Sequence, residues 1–141
     1  MKVSRTTSAI ILVSVAIVAV LAGLYTPKLL NWGNEENGYG DVSVEEAQML
    51  IEEKSSLVIL DVRTVAEFDD GHIEGAINIP VDEVADRLSE LDANDELLVY
   101  CRTGNRSGTA VVILEDAGYT RIYHMHEGIS AWIQRGYPVV Q

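Results

Sequence analysis

Glu96-Leu97-Leu98-Val99-Tyr100-Cys101-Arg102-Thr103-Gly104-Asn105-Arg106-Ser107-Gly108 is the stretch from which the fold can be read. Its first five residues form a short apolar run, the pattern of a strand buried on both faces. Beyond Gly108, Thr109 to Ala117 has helical composition and stops at Gly118. A strand, a tight polar turn and a helix therefore meet at the only cysteine of the chain. Such a turn aims its backbone N–H groups at one point, and the helix start adds partial positive charge. Arg102 and Arg106 add full charges. An anion is stabilised there, and the anion nearest to hand is the Cys101 thiolate. An unpaired cysteine is commonly a small buried apolar residue, but such a residue has no need of two arginines and a polar turn.

Working outward, Ser43 and Glu46 form a capping-box pattern for a helix running to about Lys54, with Val44, Ala47, Leu50 and Ile51 on one face. Leu57 to Leu60 and Ala76 to Ile79, the latter closed by Pro80, read as short strands, as does Arg121 to His124. Asp82 to Leu91 has helical spacing, and Ile129 to Arg135 reads as a short helix. Short apolar strands alternating with helices predict an α/β fold, a parallel sheet covered on both sides. Ligands of such sheets bind at the carboxyl ends of the strands, where Cys101 stands.

Composition narrows the function. The 141 residues carry 22 acidic against 10 basic side chains, a net charge of −12, and no Asp or Glu precedes Glu35. A nucleic-acid-binding face wants the opposite sign, so that class is excluded. A single cysteine allows no internal disulfide. The hydrophobic share is swollen by Ala9 to Leu24, a block with no polar face, preceded by Lys2 and Arg5. The uncharged stretch from Thr6 to Thr26 has about the 20 residues that a helix needs to span a bilayer. Residues 1–30 are therefore expected to be a signal-anchor or transmembrane helix, residues 31–40 (Gly-, Asn- and Glu-rich) a flexible linker, and residues 41–141 the folded domain. The positive charges ahead of the block keep the N-terminus in the cytoplasm and put the domain outside the cytoplasmic membrane. The alternative is a cleaved signal peptide, cut near Ala22, giving a secreted or periplasmic domain. Leu24 stands where a lipobox would need its cysteine, which excludes a lipoprotein.

Residues 61–80, Asp-Val-Arg-Thr-Val-Ala-Glu-Phe-Asp-Asp-Gly-His-Ile-Glu-Gly-Ala-Ile-Asn-Ile-Pro, together with the Cys101 loop and the closing Gly128-Ile129-Ser130-Ala131-Trp132, resemble the rhodanese family over about residues 41 to 140. The resemblance implies a rhodanese-like domain with a five-stranded, mostly parallel sheet flanked by helices. It implies a sulfurtransferase in which Cys101 attacks the outer sulfur of a small anionic donor such as thiosulfate, releases sulfite, and holds a persulfide for a thiol or cyanide acceptor. Arg102, Thr103, Gly104, Asn105 and Arg106 then form the substrate-binding loop, without cofactor or metal. Asp61 is expected to cap the turn after its strand or to orient an active-site arginine, and Arg63 to pair with Glu67 four residues on. His72 is expected to hydrogen-bond backbone. His124 and His126 make an H-x-H with no third ligand in view. Glu127 departs from the family's usual glycine and is expected to bring a carboxylate to the rim of the site. A partner-dependent persulfide carrier is the alternative. A cysteine-dependent phosphatase is disfavoured, because those enzymes place five residues between Cys and Arg where this chain has the four from Arg102 to Asn105. The oligomeric state stays open.

Overall fold

An all-apolar strand has no polar face to turn to water, so it belongs in the middle of a sheet. Leu97–Tyr100 does form such a strand, with all four residues buried. It is β4 in a computed structural model that describes residues 39–141. The expected membrane helix and most of the linker lie outside the described residues. Among the described residues, no helix is long and apolar enough to cross a membrane.

The other strands are β1 (Gly40–Val42), β2 (Val58–Asp61), β3 (Ile77–Asn78) and β5 (Ile122–Met125). Their order is β1-β5-β4-β2-β3, and every neighbouring pair runs parallel. The helices are α1 (Val44–Glu53), α2 (Val65–Asp70), α3 (Asn105–Asp116) and α4 (Gly128–Gln134). One face of the sheet packs Leu98, Tyr100, Tyr123 and Met125 against Ala47, Leu50, Ile129 and Trp132 of α1 and α4. The other packs Leu97, Val99 and Ile122 against Ala110 and Leu114 of α3, with Val84 and Leu91. The five-stranded parallel sheet flanked by helices that the resemblance implies is thus present.

Three local expectations change, and α2 is an element the sequence reading did not assign. α3 begins at Asn105 rather than Thr109, so Asn105 and Arg106 are its first turn and not loop. Asp82 to Leu91 is two 3-10 helices, Val81–Asp86 and Leu88–Glu90. Its apolar residues Val81, Val84, Leu88 and Leu91 fall largely at three-residue steps, which a 3-10 turn satisfies as well as an α turn. β1 enters the region assigned to the linker: only Val42 of its three residues is buried, so it carries no local apolar run. α2 has no buried residue at all. Its start is fixed by a capping box in which the Thr64 side chain accepts from Glu67 N and the Glu67 carboxylate accepts from Thr64 N, the same device that Ser43 and Glu46 supply for α1.

Candidate active site

β4 delivers Cys101, 1% exposed, to the carboxyl edge of the sheet. The chain then turns into α3 through Gly104, whose φ of +95° is left-handed. A Cβ there would collide with the His126 carbonyl oxygen, so the residue must be glycine on two counts. The turn folds the loop over the sulfur. The amide of Gly104 donates to Cys101 Sγ at 3.1 Å, and the Ser107 hydroxyl lies 3.4 Å from it. Burial alone would push the thiol up. The Ser107 hydroxyl and the amides of Ser107, Thr103 and Gly104 outweigh it and hold the Cys101 thiol below its ordinary value.

The loop is clamped from both sides. Ile129 N donates to Cys101 O and Ser130 N to Arg102 O. Gly128 (φ +70°) sits so close beneath the loop that a Cβ would collide with the Arg102 carbonyl. On the other side, Arg106 makes a double hydrogen bond to Glu67, at 2.7 and 2.9 Å. The expected Arg63–Glu67 pair is therefore not formed. Thr64 is the N-cap of α2, so Arg63 precedes the helix and does not share a face with Glu67. Arg63 instead returns to Asp61. The two are 6% and 0% exposed, joined by Nε and Nη2 to the carboxylate at 2.5–3.0 Å, and Arg63 Nη2 also donates to Gly71 O at 2.8 Å. Asp61 thus orients an arginine. Asn78 ties the turn by donating to Asp61 O and Arg63 O.

Arg63 and Arg102 line one cleft of approximately 330 Å³, together with Glu67, Asp70, Ile129, Ser130 and Ile133. Arg102 has no ion-pair partner among the described residues, whereas the charge of Arg106 is engaged by Glu67. Thr103 and Asn105 are exposed. Thr103 serves through its amide, and the Asn105 side chain makes no hydrogen bond to the sulfur. Glu127 does not reach the rim as expected. Its carboxylate accepts from Val44 N at 3.0 Å and pairs with Arg135 at 2.7 Å, because the N-terminus of α1 and a cation hold it on the far side. His72 Nδ1 contacts the Phe68 carbonyl, as expected, and His126 Nδ1 contacts Val42 O.

Ser107 is the residue that sequence reasoning passed over. It is completely buried, on the face of α3 that also buries Ala110 and Leu114. A hydroxyl at a core position of a helix was the signal.

The Glu67–Arg106 clamp gives a pH prediction. Arg106 holds the Glu67 carboxyl well below its ordinary 4.5, at about 2, although burial opposes the shift. A carboxylate depressed in the folded state adds stability that is present above the unfolded value and is lost as pH falls through the folded one. Denaturant unfolding of the native protein and of Glu67→Gln should therefore differ most near neutral pH and converge between about 4.5 and 2. A difference that stays constant over that range would show that the ion pair contributes nothing.

Comparison with known proteins agrees with this geometry. The rhodanese-like domain family matches residues 43–135. A sulfurtransferase from Allochromatium vinosum is 31% identical over 100 residues, which are 71% of this chain and 94% of that protein. Thiosulfate sulfurtransferase PspE of Escherichia coli is 43% identical over 65 residues, 45% of this chain and 62% of its own length. Other curated relatives are longer: the chain spans 50% of one from Bacillus subtilis and 56% of one from Mycobacterium tuberculosis. The crystal structure of a rhodanese-related protein from Thermoplasma volcanium superimposes with a TM-score of 0.66 at 34% identity, covering 72% of this chain and 98% of that one.

Proposed function

The chain belongs to the rhodanese-like domain family, two of whose relatives named above are sulfurtransferases, and from that premise we propose that it moves a sulfane sulfur through a persulfide on Cys101. The observation that carries the reading is the convergence of the Gly104 amide and the Ser107 hydroxyl on one buried sulfur at the start of α3. The thiolate attacks the outer sulfur of thiosulfate. A Cys101 S–S bond forms as the bond within the donor breaks, and sulfite leaves with the electron pair. The same donors then cradle the persulfide. A thiol or cyanide takes its outer sulfur, and the Cys101 thiolate leaves. Arg102, without an ion-pair partner among the described residues, receives the anionic donor in the cleft, while Arg63 lines it with its charge met by Asp61. Arg106 acts one step back, holding α2 and the loop together through Glu67.

The test is to incubate the reduced full-length protein with thiosulfate and to read its intact mass, then to add cyanide. A mass gain of one sulfur atom, lost as thiocyanate forms, is expected. No gain would end the persulfide reading. A gain that neither cyanide nor small thiols remove would make the protein a sulfur carrier for one partner.

Membrane attachment through residues 1–30, with residues 41–141 as the catalytic domain outside the cytoplasm, is a further proposal. It rests on the charge-free apolar run from residue 9 to residue 24. The full-length protein should stay with membranes through a carbonate wash. Release by that wash would refute it.

A further inference from the structure

Behind Cys101 the hydrogen bonds continue across the sheet. Ser107 Oγ of α3 lies 3.4 Å from Sγ and 2.9 Å from His124 Nε2 of β5, and His124 Nδ1 lies 2.8 Å from Asp41 Oδ1 of β1. Counting hydrogens decides what this run can do. An ionised carboxylate only accepts, so Nδ1 carries a hydrogen and donates it to Asp41. A neutral ring is then left with a lone pair on Nε2, which accepts the Ser107 hydroxyl. That hydroxyl has one hydrogen and cannot at the same time give it to sulfur. With a second proton on the ring the direction reverses: Nε2–H donates to Ser107 Oγ, and the Ser107 hydrogen is released to its two other acceptors, Sγ and the Gly104 carbonyl at 3.0 Å, of which a thiolate draws it the more strongly. The protonated ring and the thiolate are thus the matched pair.

We propose that Asp41, His124 and Ser107 form a relay that takes the proton of Cys101. The S–H bond breaks as its proton passes to Ser107 Oγ, while the Ser107 hydrogen passes to His124 Nε2. One thiolate and one imidazolium result, with no change in net charge. His124 is a positioning residue, since it reaches the sulfur only through Ser107, and Asp41 orients its ring. Among the described residues, Asp41 is the one charged group bonded to that ring. On β4 the register neighbour is the apolar Val99, and α3 brings Ser107 and Gly108 against the ring. His126, next on the same face of the chain, turns to Val42 O. The relay rests on the proposed function only in taking Cys101 as the nucleophile.

The test needs no sulfur donor. Cys101 is the only cysteine in the chain, so alkylation of the full-length protein by iodoacetamide reads its thiolate directly. At neutral pH His124→Asn should react about tenfold more slowly than the native protein, a displacement of about one unit in the rate profile. At strongly alkaline pH, where the thiol ionises unaided, the two rates should meet. Asp41→Asn, at an exposed position, should show the same displacement at about a third of the size in log units. A His124→Asn profile that superimposes on the native one would overturn the relay. So would a deficit equal at every pH, which is the mark of a disturbed loop. Should His124→Asn fail to fold, Asp41→Asn decides alone by the same two outcomes. Normal alkylation profiles with intact sulfur loading would sink the relay and leave the sulfurtransferase standing; displaced profiles without loading would do the reverse.

Discussion

Cys101→Ser is expected to lower sulfur transfer by roughly three orders of magnitude or more while the protein still folds. The substitution exchanges one atom at a site that is 1% exposed, and the replacement oxygen can still accept from Gly104 N and meet the Ser107 hydroxyl. Packing therefore changes little. Chemistry changes entirely, because a hydroxyl is not ionised at neutral pH and forms no persulfide. Thiocyanate production and intact mass should both fall to background, with a melting temperature within about 4 °C of the native value. Retained turnover would remove Cys101 from the reaction and the persulfide with it.

Asp61→Ala should produce the largest loss of stability, about 3–5 kcal/mol in urea unfolding at neutral pH. Asp61 is completely buried and accepts from the Arg63 backbone N as well as from its Nε and Nη2. Truncation leaves a guanidinium, 6% exposed, with the Gly71 carbonyl and the face of Tyr100 at 5.8 Å as remaining partners. The loss is the cost of stranding that charge, so Asp61→Leu combined with Arg63→Met should recover much of it. A single variant that loses less than about 1 kcal/mol would mean that water reaches Arg63 and the pair is not a structural element. Sulfur loading should fall with the double variant even where stability returns, because Arg63 also lines the cleft.

What the chain declares locally is legible in its sequence; what it decides at long range is not. The strand, turn and helix around Cys101 are contiguous, and the Ser43–Glu46 box caps α1 within four residues. Thr64–Glu67 is the same signal, and reading it would have placed α2 and withdrawn Glu67 from Arg63. The true partner of Glu67 is 39 residues away, beyond any rule of spacing. The 61–80 motif identified the family while leaving its internal pairings open. Glu127 is expected at the rim because it stands where the family usually has a glycine; its side chain follows Val44, 83 residues distant. The roles of Arg102 and Arg106 look alike in the sequence, and only Glu67 tells them apart.

The pairing of β1 has a consequence for how the molecule is made. Among the described residues the first strand of the sheet in sequence order has the last as its only neighbour, and Asp41 meets His124 across 83 residues. During synthesis β1 has no ladder to join until Met125 has emerged, and pairings of such separation form late even in a free chain. The pairing of β2 with β4 needs the chain only as far as Tyr100, whereas the pairings of β5 with β4 and with β1 both wait for the chain to reach Met125. The latter pairing joins Asp41 to His124 and lays Val42 against the core. A ribosome-bound or partly folded chain thus already owns its cysteine and most of its loop, yet lacks the outermost connection to it. On the proposed relay, the pairing of β1 with β5 is also the event that brings Asp41 to the thiol's proton acceptor.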